Sequence, residues 1–297
     1  MRTYNDLPAE VKLIAEIGTN HGGDFALAKS MILEAAAAGV WAVKFQKRDP
    51  KSLKPELYNK PYRGLHSYGA TYGEHREALE FRIGWHNDLR EMAHNLGIKY
   101  GCSVFDMKSA KEIASIEPDY IKIGSGQNRW EKLIKYLDER VQCPIHISTG
   151  MEKYPFDIWL QFIKHIPVDY VCTSSYPTEP RDLKLNLFNN AHQFKGFSCH
   201  SPFTMWGLLA ATLGVEYIEY HMTLPSITTP KGRDHAISLI PYSFKVLKSE
   251  IEQMHLALKN KPSMLPCEEY TKENYNWDKI IKGENNGCKT AGQQEGS

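Results

Sequence analysis

The sequence predicts an α/β fold, a closed (β/α)8 TIM barrel, and three features carry that expectation. Short runs rich in β-branched and aromatic residues alternate with stretches of helical periodicity, the pattern of βα units around a parallel sheet. Eight such runs can be read along the 297 residues, and a barrel of this kind routinely uses about 250 residues as a single unit. The stretch EIGTNHGGD, at the end of the first run, lacks the GxGxxG spacing that an open doubly wound sheet would more often carry there.

The elements follow in order. The first run is KLIAEIG from Lys12, and FALAKSMILEAAAAG after it reads as a helix whose alanine-rich body stops at Gly39, in the position of a C-terminal cap. The second run is AVKFQK from Ala42. The longest connection then runs from about Lys47 to Gly84 and holds KSLKPELYNKPYRGLHSYGATYGEHREALEF, rich in Tyr, Gly and His. Insertions of that length after a barrel strand are often active-site lids. The remaining runs are KYGCSVF from Lys99, YIKIGSG from Tyr120, PIHISTG from Pro144, DYVCTSS from Asp169, GFSCHS from Gly196 and YIEYHMTL from Tyr217. A last helix is expected from about Tyr242 to Lys259. Beyond it the chain turns polar, which divides it into a barrel over residues 1–262 and a polar tail over 263–297 whose end is expected to be disordered.

Composition narrows the partners. With 36 Lys and Arg against 35 Asp and Glu, the net charge of +1 creates no field for a polyanion, and no basic run is present, so nucleic acid is not an expected partner. The opening MRTYNDLPAEVK is polar, and no apolar run approaches the roughly 20 residues that span a bilayer, so no membrane association and a cytoplasmic location are expected. The six cysteines are scattered without the short repeated spacings of a disulfide framework or zinc knuckle, and reduced thiols are expected.

Catalytic groups of such a barrel come from the C-terminal strand ends and the loops after them. Polar residues recur there: Glu16, Lys44, Gln46, Ser103, Lys122, Ser125, Ser148, Tyr176, Ser198, His200 and His221. Lys44 in VKFQ and Lys122 in IKIGSG project toward one mouth and, with Ser125 and Ser148, make a site for a phosphate or carboxylate; the alternative is two lysines snorkelling at a barrel end. His200 and His221 end neighbouring runs, so both imidazoles can reach one Mn, Fe, Co or Zn ion, or else each is a hydrogen-bonded core histidine. Glu16 reads equally as a general acid or base and as a structural partner of a lysine. GRDHAISL, with Asp234 and His235, is a polar loop that could close over the mouth.

Taken together and in order, AEIGTNHGGD, AVKFQ, TYGEHREALEF, KIGSGQ, STGM, CTSSYP, GFSCHS and EYHMTLP...GRDHAISL resemble the sialic acid synthase family, which includes N-acetylneuraminate synthase and the legionaminic and pseudaminic acid enzymes. The resemblance spans about Lys12 to Leu239. It implies condensation of phosphoenolpyruvate with the aldehyde of an N-acylated sugar, release of inorganic phosphate, and a divalent metal, Mn first, with Mg, Co or Fe as alternatives. By resemblance His200 and His221 hold that metal, and Lys44, Lys122, Ser125, Ser148 and Ser198 bind phosphoenolpyruvate. Glu16 matches the catalytic glutamate, and Gln46, Tyr176 and Asp234 face the sugar.

The chain departs from the family pattern at several points. Gln127 stands where the common motif reads SGE, exchanging a carboxylate at the sugar for an amide that can also donate. Ser174 stands where relatives often have Asn, and Cys199 where they often have Asp before the histidine, a change expected to alter metal affinity or preference. The resemblance covers the barrel only, without the antifreeze-like C-terminal domain common in bacterial members. A homodimer stays open as an expectation but not by that domain's swap, and the 47–84 segment is the candidate for closing the mouth. The other readings are condensation of phosphoenolpyruvate with a different aldehyde or a sugar phosphate, and a degenerate barrel that binds ligand without turnover.

Overall fold

A computed structural model describes residues 7–64, 66–151, 163–165, 168–189, 194–225, 232–259 and 268. Eight parallel strands close a barrel in chain order. They are β1 (Lys12–Gly18), β2 (Ala42–Lys47), β3 (Lys99–Val104), β4 (Tyr120–Ile123), β5 (Ile145–Ser148), β6 (Val168–Cys172), β7 (Gly196–Cys199) and β8 (Tyr217–His221). Each of the eight sequence runs holds one strand. Six strands stop before their runs do, because pairing ends at the barrel rim and the polar residues that follow leave the sheet.

The helices are α1 (Phe25–Ala37), α2 (Pro55–Tyr58), α3 (Tyr72–Leu79), α4 (Ile83–Asn95), α5 (Met107–Ala114), α6 (Glu131–Arg140), α7 (Met205–Thr212) and α8 (Pro241–Lys259). Asp24 caps α1 by accepting from the Ala26 and Leu27 amides, and Gly39 follows its end at φ +75°, a conformation that glycine adopts without a Cβ clash. The strands' outward residues, such as Leu13, Ala15, Val43 and Phe45, form one apolar core with the helix residues Ala28, Met31, Ile32 and Leu89. The chain divides into two compact units, Met1–Leu256 and Ala257–Ser297. The expected 263–297 tail, Glu268 apart, lies outside the described residues.

Inside the barrel the lower layer is aromatic. Ile14, Ala42, Tyr120, Val168, Tyr170 and Tyr217 form a separate buried cluster, with His146 stacked on Tyr120 and its Nδ1 2.9 Å from the Tyr170 hydroxyl. The layer closes because β3 and β7, the strands beside those of Tyr120 and Tyr170, offer glycine. Gly101 pairs with Tyr120 and Gly196 with Tyr170, and a Cβ at Gly101 would lie 2.1 Å from Tyr120 Cζ. Large rings thus fill the floor and leave the level above to polar side chains.

The 47–84 connection is folded. Thr71 and Glu74 form a reciprocal capping box at the start of α3, Pro61 bridges Thr71, and the rings of Tyr62 and His75 approach to 4.4 Å. Glu80 ties the segment to β2: its Oε2 accepts from the Arg48 amide at 3.0 Å and from Lys47 Nζ at 3.3 Å. Among the described residues the free cysteines are Cys102, Cys143, Cys172 and Cys199, as the scattered spacing suggests, and no helix is long and apolar enough to cross a membrane.

Candidate active site

Strand register builds the centre of the site. Glu16 pairs with Lys44 across β1 and β2 and with His221 across β1 and β8. Gln46 pairs with Ser103, Ser103 with Lys122, and Ser198 with Glu219. Residues two apart share a face of a strand, so closure of the barrel brings Glu16, Lys44, Lys122 and Glu219 together above the aromatic floor. Lys44 Nζ lies 2.5 Å from Glu16 Oε2 and 3.6 Å from Glu219 Oε2, and donates to Ser103 Oγ at 2.8 Å. Lys122 Nζ lies 3.6 Å from the same Glu219 oxygen and 2.9 Å from the Tyr170 ring centre. It is buried and has no hydrogen-bond partner among the described residues. Glu219 Oε1 accepts from Ser198 at 2.9 Å.

These four charges shift one another. Burial and the nearby Glu219 push Glu16 up to about 7 against the pull of Lys44. Burial raises Glu219 as well, but Lys122, Lys44 and the Ser198 hydroxyl outweigh it and hold this carboxyl down at about 2. Burial, helped by Lys44 and opposed by Glu219, brings Lys122 down to about 8. For Lys44, burial works downward, yet Glu16 and Glu219 leave it above its ordinary value. The two carboxyls are therefore driven apart, one fixed as an anion and one near neutrality, the arrangement that separates a counter-ion from a proton-transfer group.

In the same cavity His200 and His221 face each other with ring centres 5.7 Å apart. His200 Nδ1 is 2.8 Å from the Thr173 carbonyl, which fixes the proton on that nitrogen in the neutral ring and leaves Nε2 a lone pair. His221 Nδ1 is buried without a hydrogen-bond partner among the described residues. Burial, with His200 and Lys44, lowers His221 to about 4 against the opposing effect of Asp234, so its imidazole is neutral at pH 7. Tyr176, half exposed, tilts against the His200 ring at 4.1 Å. Among the described residues no set of three or more His, Cys, Asp and Glu side chains converges on a cation position. The pair can supply two ligands, with remaining positions open to oxygen from water or substrate.

Thirteen of the residues singled out from the sequence line one cavity of about 460 Å³: Glu16, Lys44, Gln46, Ser103, Lys122, Ser125, Gln127, Ser148, Tyr176, Ser198, His200, His221 and Asp234. Gln46 links the centre to the rim, donating to Glu16 Oε1 at 2.8 Å and accepting from Arg48 Nη2 at 3.0 Å. Ser125 and Ser174 approach over Gly150, where a Cβ would lie 2.5 Å from each hydroxyl. Gln127 Oε1 is buried with no hydrogen-bond partner among the described residues, which leaves the amide's acceptor to a ligand. His235 instead engages the Thr223 hydroxyl at 2.5 Å, and His21 stacks on Phe81 with its pKa lowered by burial to about 3. Both are structural.

The cavity also holds residues that the sequence reading passed over. Glu219 had a signal: it shares the β8 face of Tyr217 and His221, and two inward lysines require counter-ions. Arg48, Tyr62, His75 and Arg76 come from the 47–84 segment, which contributes these side chains to the cavity lining, but its path follows no strand period and its cavity-facing side chains had none to betray them.

Comparisons with known proteins place the chain in a family. A family profile described as the NeuB family matches residues 31–263. N-acetylneuraminate-9-phosphate synthase of Drosophila melanogaster is 34% identical over 264 residues, covering 83% of this chain and 68% of that protein. N,N'-diacetyllegionaminic acid synthase of Legionella pneumophila is 30% identical over 269 residues, covering 84% and 75%. Among solved structures, the N-acetylneuraminic acid synthetase of Leptospira borgpetersenii, crystallised with citrate, superposes with a TM-score of 0.72 at 26% identity, covering 90% of this chain and 92% of that one.

Proposed function

The chain belongs to the NeuB family, and from that premise we propose that it condenses phosphoenolpyruvate with the aldehyde of an N-acylated sugar, giving a nonulosonic acid and inorganic phosphate. The observation that carries the reading is the buried Lys44–Glu219–Lys122 cluster, in which the Lys122 ammonium, ion-paired to Glu219, has no hydrogen-bond acceptor among the described residues, in the cavity that the facing imidazoles of His200 and His221 also line. A buried cation without a hydrogen-bond acceptor is costly unless a ligand supplies one. Phosphoenolpyruvate offers both a phosphate and a carboxylate, and the hydroxyls of Ser103, Ser125, Ser148 and Ser198 line the same space.

The condensation forms one C–C bond, from C3 of phosphoenolpyruvate to the aldehyde carbon. Water adds at C2, and the C2–O bond to phosphate breaks as the keto group forms. Lys44 and Lys122 stabilise the departing phosphate. Glu16, near neutrality, accepts a proton from the attacking water and returns it to the alkoxide formed from the aldehyde, while the second water proton leaves with the phosphate as the keto group forms. Gln46 keeps Glu16 oriented through its amide, and Gln127, Tyr176 and Asp234 bind the sugar's polar groups. His200 and His221 fit a divalent cation, Mn with Mg, Co or Fe as alternatives, because one imidazole is anchored through Nδ1 and the other has an orphaned buried nitrogen. Bound there, such a cation supplies Lewis-acid polarisation of the aldehyde oxygen.

The relatives' names divide between a phosphorylated and an unphosphorylated product, so the acceptor is where members differ. The test is phosphate release from phosphoenolpyruvate with Mn across N-acetylmannosamine, its 6-phosphate and diacetamido sugars. Release should require an acceptor and should vanish in His221→Ala, whose Mn affinity measured by equilibrium binding should fall at least about tenfold, the lower range for a weakened metal site. No release with any acceptor from folded, Mn-loaded protein would refute the proposal.

A further inference from the structure

The lid side of the cavity carries two guanidinium groups that the condensation chemistry does not use. Arg48 lies at the start of the 47–84 segment and Arg76 on α3, and both line the cavity. Arg48 is flattened over Phe105, its Cζ 3.3 Å from the ring centre. One Nη donates to Gln46 Oε1, but its buried Nε has no hydrogen-bond partner among the described residues. Arg76 Nε donates to the Tyr72 hydroxyl at 3.0 Å. Among the described residues neither guanidinium forms a salt bridge, whereas both lysines at the centre do.

The acidic groups nearest the arginines do not neutralise them. Glu80 is occupied by Lys47 Nζ and by the Arg48 backbone amide. Asp234 lines the same cavity, and acts on Arg48 only through the field that opposes its desolvation. The central cluster pairs two lysines with two glutamates, so the unbalanced positive charge of the cavity sits at the lid. Closing a lid over two such groups with a neutral ligand would leave them desolvated and unpaired, which is unfavourable.

From this charge distribution we infer that Arg48 and Arg76 form a second anion subsite, and that it takes a phosphate monoester carried by the acceptor sugar. The inference rests on the proposed function for the identity of the acceptor. Planar guanidinium forks match the oxygens of a phosphate monoester. Gln46 joins Arg48 to Glu16 through its amide, so a ligand held at the arginines spans toward the proton-transfer carboxyl. The anion of phosphoenolpyruvate belongs at the lysines, and a phosphate at the far end of the sugar belongs at the lid.

Calorimetric titration of N-acetylmannosamine and of its 6-phosphate, with Mn and with and without phosphoenolpyruvate, tests this in the wild type, Arg48→Gln, Arg76→Gln and Arg48→Lys. The wild type should bind the phosphate ester at least about tenfold more tightly than the free sugar, as charge-assisted hydrogen bonds imply. Both Gln variants should reduce that preference to within about threefold, and Arg48→Lys should keep part of it. Arg76 is partly exposed, so its variant tests the subsite even where a change beside Phe105 perturbs folding. Equal binding of the two sugars, no binding of either, or a preference unchanged in both Gln variants would overturn the inference. So would variants that weaken phosphoenolpyruvate in place of the ester. Tight, arginine-dependent binding of the ester with no phosphate release would refute the synthase reading and leave the subsite standing.

Discussion

Replacing Glu219 with Gln perturbs the whole charged centre, because this one carboxylate balances two ammonium groups. Its Oε2 is 3.6 Å from both Lys44 Nζ and Lys122 Nζ. At an effective dielectric near 20, one unit pair at that distance attracts by about 4 to 5 kcal/mol. Repulsion between the two lysines, and between Glu219 and Glu16, offsets part of the two attractions. Removing one partner of a buried ion pair costs about 3 to 5 kcal/mol, and we expect E219Q to lose that much in urea unfolding, with an unchanged m-value. The measurement belongs at pH 6.5, since Lys122 falls below about 8 once the carboxylate that opposes its desolvation is gone. Phosphoenolpyruvate should then stabilise the variant more than the wild type, because the ligand's negative charge replaces the missing carboxylate and the gain grows as RT ln(1 + [L]/Kd). A variant as stable as the wild type would refute the balancing role. An equal or smaller gain with phosphoenolpyruvate would refute placement of the anion at the lysines.

The pH profile of kcat/KM should be a narrow bell. Activity rises as Glu16 loses its proton through about 7 and falls as Lys122 loses its own through about 8, the limbs belonging to the coupled cluster. Glu16→Gln should lower the rate by about 100-fold or more and erase the acidic limb; a profile that keeps that limb assigns it elsewhere. Gly101→Ala would drive a Cβ to 2.1 Å from the buried Tyr120 ring, and overpacking of this kind costs about 1 to 3 kcal/mol. Urea unfolding of that variant should show a loss at the top of the range, and a change below about 0.5 kcal/mol would mean the aromatic floor is not close-packed.

How much of this was legible in the sequence depends on what carries each residue. Strand-borne chemistry was readable because in a closed barrel the local period of two and the register of neighbouring strands encode the same placement. Glu16, Lys44, Lys122, Ser198 and His221 lie on inward faces at adjacent levels, so locating each near a strand end nearly located them relative to one another. Glu219 obeys the same rule and was still missed, since flanking tyrosines made YIEYH look like an ordinary buried strand; the missing step was to ask what neutralises two inward lysines. The glycines that admit Tyr120 and Tyr170 are visible only once the register is known, because Gly101 meets a ring 19 positions along the chain through a strand neighbour. Arg48 and Arg76 mark the harder limit. Their positions depend on how Glu80 ties the segment to β2, how Phe105 supports one guanidinium, and how α3 is capped, contacts between parts of the chain that no period relates. The barrel thus fixes the chemistry shared by its strands, while the lid, free of that constraint, is where one member of such a family can change which acceptor it admits.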